Sequence, residues 1–242
     1  MIKKYGRKYI GKIYRTHEGY DLKVIDGGNR GGYVTVKIRG YVFEAKICHV
    51  QIGNVKYPFH QSVFNVGCFG VGKYSRKNDK LVYNRWVHML ERCYSPEYQK
   101  KYPTYIGCSI DKRWHNFQVF AKWHYKYYPT NGLKYELDKD IRIESNKIYS
   151  KYTCMFVPRK VNAFMANVKS NNTSGYLGVN WNKSSSSWRV MIHIDGKQEY
   201  LGVFKCIKTA SRVYQEARQE QAEKWKRYYS FDYPKSILDN LK

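Results

Sequence analysis

In "YELDKDIRIESNKIYSKYTCMFVPRKVN" (Tyr135 to Asn162), a carboxylate, Asp138, closes a short apolar run, and Lys139 follows it directly. Such a pair can serve a catalytic site, form an ion pair beside a turn, or sit in a loop that contacts nucleic acid. As a proton acceptor Lys139 is poor, because a lysine with a reference pKa of about 10.4 stays cationic at neutral pH unless strongly desolvated. Other chemistries have weaker signatures. His88, His115 and His124 lie on helical patterns, and no local Ser/His/Asp or Cys/His arrangement accompanies them. The six cysteines (Cys48, Cys68, Cys93, Cys108, Cys154, Cys206) form no CxxC pair and no zinc spacing, so they read as reduced thiols and no structural zinc is expected. The stretch "FNVGCFGVGKYSRKND" is glycine-spaced, but no strand–turn–helix unit surrounds it, which excludes a dinucleotide fingerprint. It reads as a basic connector laid on phosphate, with Lys73, Arg76 and Lys77 as its contacts.

The elements around these residues follow from periodicity. From about residue 10 to 60, "YDLKVID", "GYVTVKIRG" and "YVFEAKI" alternate in period two, with Tyr33, Thr35 and Lys37 on one side and Val34, Val36 and Ile38 on the other. Three or four short strands with glycine turns predict a small barrel. From Leu81 the period becomes helical: Val82, Trp86, Met89, Leu90 and Cys93 share one face, and Trp114, Phe117, Phe120 and Trp123 form a second stripe. Repeats at that spacing are core aromatics, not base-stacking ones. Between them "PTYIGCSI" reads as a strand. "ELDKDIRI" and "YTCMFVP" read as two strands joined by a polar loop, and "RKVNAFMANV" as a short helix. "KSNNTSG" (Lys169 to Gly175) is a linker. Beyond it come a strand "GYLGVNWN", a hairpin about Asp195-Gly196 and an amphipathic helix "KTASRVYQEARQEQAEKW".

Charge narrows the partner. The 242 residues hold 44 Lys+Arg against 19 Asp+Glu, a net +25. The excess is +11 over 1–80, +9 over 81–169 and +5 over 170–242, so no basic tail carries it. A protein charged along its whole length suits a long polyanion and salt-sensitive binding through counterion release. Aromatics at 17% fit either base stacking or small aromatic cores. No apolar run reaches the ~20 residues of a membrane span, and the start has no signal-peptide stretch.

The last segment, "GYLGVNW…SWRVMIHIDGKQEYLGVF…AS..YQEA", resembles the Apetala/ethylene-response-factor DNA-binding domain over about Gly175 to Trp225, with Gly178, Leu201, Gly202 and Phe204 at the family's positions. The resemblance implies a three-stranded sheet whose exposed face enters the major groove. Alternation puts Trp188, Val190, Ile192 and Ile194 on the helix side, and Arg189, Met191 and His193 on the other. Asn180, Asn182, Gln198 and Tyr200 join the second face, with Lys183 beside it. The plant domain fills this face with arginines. Here Leu177, Asn180, Asn182, Met191 and His193 stand instead, so fewer bidentate guanine contacts are expected.

The middle segment, about Val82 to Met165, resembles phage- and prophage-type HNH endonucleases through "RWVHMLERCYSPEY", "YIGCSI", "KRWHNFQVFAKW" and "LDKDI…NKIYSKYTCMFVPRKVN". That resemblance implies two strands and a helix around one divalent cation, with Asp138 and Asn162 as its ligands. Lys139 stands where the family has a histidine. A subgroup that includes a rare-cutting restriction enzyme lacks that histidine and uses a tyrosine in a "DR…YSP.N" arrangement, the register of Tyr149 here. Thr153 departs from the subgroup's asparagine. By this resemblance Tyr149 positions or deprotonates water, and Lys139 stabilises charge on the phosphorus.

The expected organisation is an α+β chain of three modules: a β-rich basic module with its connector (1–80), an HNH-like region (81–168) and a DNA-binding domain (169–242). The expected function is a Mg²⁺-dependent (or Mn²⁺-dependent) endonuclease of homing type acting on double-stranded DNA. No small-molecule cofactor or membrane is expected, and the protein is expected to be a cytoplasmic monomer, since no heptads indicate a dimer. The rivals are a regulator that binds DNA around an inactive nuclease core, and an RNA-binding protein.

Overall fold

The computed structural model describes residues 6–143, 145–164, 172–194 and 196–228. The fold is mixed α+β, with six α-helices and several small sheets among the described residues. The chain divides into two compact units, Met1–Thr104 with Lys112–Lys122, and Tyr105–Asp111 with Trp123–Lys242.

In the first unit, β1 (Ile13–Arg15), β2 (Asp21–Gly27), β3 (Tyr33–Ile38) and β4 (Tyr41–Lys46) pair antiparallel in chain order, and α1 (Ile47–Gln51) follows. Period-two alternation has its expected effect: Val34, Val36 and Ile38 are fully buried with Leu22 and Val24, while Lys37 points to solvent. The expected barrel does not form. β1 and β4 are free edges of an open meander, and β1 is three residues long, too little sheet to tilt and close on itself. Val50 of α1 and Val55 join the same apolar cluster and cover the face instead.

The helical periodicity is realised in α2 (Lys80–Tyr94), where Val82, Trp86, Met89, Leu90 and Cys93 are all buried. Ser95 then caps α3 (Pro96–Lys101), its Oγ accepting from the Tyr98 amide at 3.2 Å, with Pro96 at the first helical position. The Gln99 amide donates back to the Cys93 and Arg92 carbonyls, satisfying acceptors at the end of α2. The second aromatic stripe is split. Trp114 lies on a 3₁₀ turn, and α4 (Phe117–Tyr127) starts after it. The Trp86 indole donates to the Trp114 carbonyl at 2.7 Å, which ties the turn to α2.

In the second unit, the predicted strand "PTYIGCSI" shrinks to β5 (Ser109–Ile110). β6 (Tyr135–Asp138) precedes β7 (Ile148–Tyr149), which pairs parallel with β5. β8 (Met155–Pro158) pairs antiparallel with β6, putting Met155 opposite Asp138, and α5 (Arg159–Phe164) follows at once and packs on both strands. A separate sheet of β9 (Val179–Asn182), β10 (Ser187–Ile194) and β11 (Lys197–Phe204) runs in the order β11–β10–β9 and carries α6 (Ile207–Tyr228). One apolar cluster joins Met155, Val157, Val161 and Phe164 to Val179, Val190, Ile192, Tyr214 and Trp225. Within it Phe164 meets Trp225 edge-on at 4.7 Å.

The remainder of the helix expected in "RKVNAFMANV", the linker residues Lys169–Asn171 and the turn residue Asp195 lie outside the described residues. Among the described residues no helix is long and apolar enough to cross a membrane. None of the six cysteines forms a disulfide.

Candidate active site and nucleic-acid interface

The strand-end position of Asp138 arises because Tyr135 and Leu137 point into the core, which leaves Glu136 and Asp138 half-buried on the other side. After Asp138 the chain turns. Its Oδ1 accepts from the Asp140 and Ile141 amides at 2.8 and 2.7 Å, while its Oδ2 takes no hydrogen bond among the described residues. Burial raises its pKa above the ordinary aspartate value, against the lowering effect of those two amides.

Lys139 is buried, and its side chain is fully committed. Nζ donates to both carboxylate oxygens of Asp140 at 2.6 and 2.7 Å and to the Asn146 carbonyl at 2.7 Å, using all three ammonium protons. The same Nζ stands 5.9 Å from the centre of the Tyr149 ring. Tyr149 itself is 2% exposed, because in β7 it points inward while Ile148 points out.

Two residues that sequence reasoning overlooked hold this loop. The Asn146 side chain donates to the Lys139 and Ile148 carbonyls at 2.8 and 2.7 Å and accepts from the Ile148 amide. Asp140 neutralises Lys139. An asparagine in a polar loop is an ordinary turn signal, so neither role was visible in one sequence. Thr153 braces the end of β7, where its Oγ1 donates to the Ile148 carbonyl at 2.6 Å and accepts from the Ser150 amide. Cys154 is buried behind the site, and desolvation pushes its thiol up to about 12, so it stays protonated.

Asn162 is half-buried on α5, the helix packed on β6 and β8. The described residues contain no cluster of three or more His, Cys, Asp or Glu side chains that could hold a metal ion. Asp138 leaves one carboxylate oxygen uncommitted, and Asn162 carries an amide on the helix that packs on its strand. That donor set fits Mg²⁺, which keeps several waters and takes one or two protein ligands together with substrate phosphate. Three histidines of the helical patterns have these surroundings. His115 bonds the Tyr94 hydroxyl at 3.1 Å, His124 is buried and stacked on Tyr128, and His88 is exposed on α2.

In the β9–β11 sheet the register aligns the expected face. Asn180 lies opposite Arg189, Arg189 opposite Val203, Met191 opposite Tyr200, and His193 opposite Gln198. A bulge between Val190 and Met191 makes this possible, since the extra residue, Leu201, lets Tyr200 and Val203 face the same way. Val203, nearly half-exposed, is a member of this face that simple alternation missed. Leu177, which precedes β9 and the left-handed Gly178, packs against the core and does not join the exposed face. Asn182 is spent on the following turn, its Oδ1 accepting from the Ser184 amide and hydroxyl, while Lys183 is exposed in that turn.

Gly178 is irreplaceable on geometry: a Cβ there would fall inside the Tyr214 ring and press on the Met191 carbonyl. In the first unit, Gly70 and Gly72 of the basic connector likewise lie where a Cβ would strike Asn116 and Gln118. Gln118 also clamps the Tyr74 backbone, donating and accepting at 3.0 Å. Those glycines therefore serve packing. Lys73 and Lys77 are exposed, and Arg76 lies over the Tyr83 ring at 4.7 Å. No protein-family model, curated protein or solved structure matches this chain.

Proposed function

We propose that this protein is a metal-dependent endonuclease of HNH type that hydrolyses phosphodiester bonds in double-stranded DNA, working in the cytoplasm of a cell that carries its target. The observation that carries the reading is the Asp138 carboxylate. One oxygen is fixed by two backbone amides, the other is uncommitted, and it ends a strand paired with β8 and packed under the helix bearing Asn162. A charge of +25 and the exposed Arg189–His193 face support duplex DNA as the substrate.

Asp138 and Asn162 would hold a Mg²⁺ or Mn²⁺ ion, which when bound stabilises negative charge on the leaving-group side of the scissile phosphate. Lys139 supplies positive charge beside the phosphate, and reaches it by exchanging the Asp140 carboxylate for a phosphate oxygen. Tyr149 orients the attacking water once DNA docking opens the ring's surroundings, since hydrogen bonds of catalytic groups tighten in the complex.

A second reading, a DNA-binding regulator with an inert ββα unit, is favoured by one specific observation. Lys139 takes the place of a base, and all its protons are spent on Asp140 and Asn146. Cleavage decides between the two. Purified protein is incubated with a supercoiled plasmid library, with Mg²⁺, Mn²⁺ or EDTA. Metal-dependent nicking that disappears in Asp138→Asn and Asn162→Ala, with duplex binding retained, supports the nuclease. Tight binding without cutting in either metal establishes the regulator.

A further inference from the structure

The loops flanking the candidate site expose three large apolar side chains, Ile143, Ile148 and Tyr152, at 53%, 49% and 64%. Single exposed apolar residues are ordinary, but these three stand on adjoining segments, Ile143 and Tyr152 on loops and Ile148 at the start of β7. The loops are joined directly: Arg142 Nη1 donates to the Tyr152 carbonyl at 3.2 Å, and Thr153 Oγ1 to the Ile148 carbonyl. Each is also held from within, by the Asp138 carboxylate, the saturated Lys139 ammonium, the Asn146 side chain and the Ser150 hydroxyl, which accepts from the Tyr152 and Thr153 amides. The described backbone on either side of these side chains is therefore tied by its own hydrogen bonds, which lowers the ordering entropy lost on contact.

Cations flank these three side chains. Arg142, Lys147 and Lys151 are exposed, with Lys151 lying over the Tyr152 ring at 4.7 Å. Asp140 is paired with Lys139, and Glu144 lies outside the described residues. Apolar side chains interleaved with cations on preformed loops match what DNA-kinking proteins insert between base steps while contacting the flanking phosphates.

We propose that Ile143, Ile148 and Tyr152 form a wedge that enters a groove of duplex DNA and partly unstacks a base step, with Arg142, Lys147 and Lys151 on the adjacent phosphates. The wedge rests on the reading of the protein as a duplex-DNA binder, and would distort the helix where Asp138 meets the backbone.

Unstacking untwists DNA, so the test reads twist without knowing the target sequence. Supercoiled plasmid is relaxed by a metal-independent type IB topoisomerase in EDTA, with saturating full-length protein; the protein is then removed and topoisomers are resolved. The expected result is a shift in linking number that scales with bound protein. Tyr152→Ala should at least halve that shift, the triple variant Ile143→Ser/Ile148→Ser/Tyr152→Ala should abolish it, and duplex affinity should fall about tenfold. All three side chains are surface ones, and a thermal melt unchanged from wild type verifies the fold of each variant. Duplex binding without any shift, or a shift that survives the triple variant, overturns the wedge and leaves the DNA-binding reading standing. Failure to bind duplex at all overturns both.

Discussion

Two surfaces of the second unit spend their polar side chains in opposite ways. Around Asp138, the carboxylate, the Lys139 ammonium, the Asn146 amide and the Thr153 hydroxyl are all bonded to their own chain. On the β9–β11 sheet, Asn180, Arg189, His193 and Gln198 are exposed and take no side-chain hydrogen bond among the described residues. A buried polar group such as the Lys139 ammonium must be satisfied internally, because leaving one unpaired costs about 1–3 kcal/mol. A solvated face has no such demand and can hold its groups ready for a partner. The first surface is preorganised with little left over, and the second is available but unshaped.

The largest expected effect separates structure from chemistry at Asp138. Asp138→Asn keeps an oxygen to accept from the Asp140 and Ile141 amides, so folding should survive, while the anionic ligand proposed for the metal is lost. Cleavage should fall by about 10³-fold, equivalent to about 4 kcal/mol, with duplex binding unchanged. Titration adds a second readout. Because burial raises the Asp138 pKa in the metal-free protein, protons should compete with the metal there, so the metal concentration needed for cutting should rise on acidification. A carboxyl whose folded pKa exceeds its unfolded value favours folding when protonated, and its contribution declines as pH rises through that interval. Asp138→Asn should thus be neutral to stabilising at pH 7 and should flatten this part of the pH–stability curve. A large loss of stability in chemical denaturation would show that the carboxylate's charge holds the loop, and would break the contrast between a preorganised site and an available face.

Next comes the scaffold under the exposed face. Gly178→Ala combines a left-handed backbone with collision into Tyr214, for a cost of about 3 kcal/mol, read as a shifted urea midpoint. Gly196→Ala is the control, since φ +82° is its only obstacle and no atom lies within 4 Å. If both cost the same, the close approach to Tyr214 contributes nothing.

Lys139→Met tests how tightly the loop is committed. The thioether fills the space, but the Asn146 carbonyl loses its donor, and Asp140, half-exposed, turns to water. A loss of about 1–2 kcal/mol is expected, smaller than for a fully buried pair. Faster amide exchange confined to residues 139–148 would locate it.

How far these features could be seen in the sequence depended on whether they were local. Alternation in β3 and the buried face of α2 were legible because backbone geometry alone dictates periods of 2 and 3.6. The barrel was not, because closure depends on which edges meet, and β1 proved three residues long. Asp138 was legible as a strand-end carboxylate. The saturation of Lys139 was hidden, since it depends on a backbone carbonyl seven residues away. The face of β11 was read through its even-numbered residues, yet Val203 escaped, because a bulge at Leu201 reverses the alternation and leaves no mark of its own. Leu177 was misplaced because it lies before β9, on the far side of the left-handed Gly178, so the face of the strand does not extend to it.

The smallest expected effect bears on the exposed surface. Arg189→Ala should weaken duplex binding about fivefold, roughly 1 kcal/mol, without altering stability, since the side chain is exposed and holds nothing in the fold. What it loses depends on what it touches. A phosphate contact would reduce the slope of log affinity against log salt by about 1, equally on all sequences. A base contact would leave that slope nearly unchanged and relax preference at one position. Its neighbours favour the second outcome, because Arg189 sits mid-strand between Asn180 and Val203, on the part of the sheet that would lie deepest in a groove. Lys183, in the turn at the sheet's end, is the matched control and should show the salt effect alone. If the two variants behave alike, the sheet holds DNA only by its charge and reads no sequence.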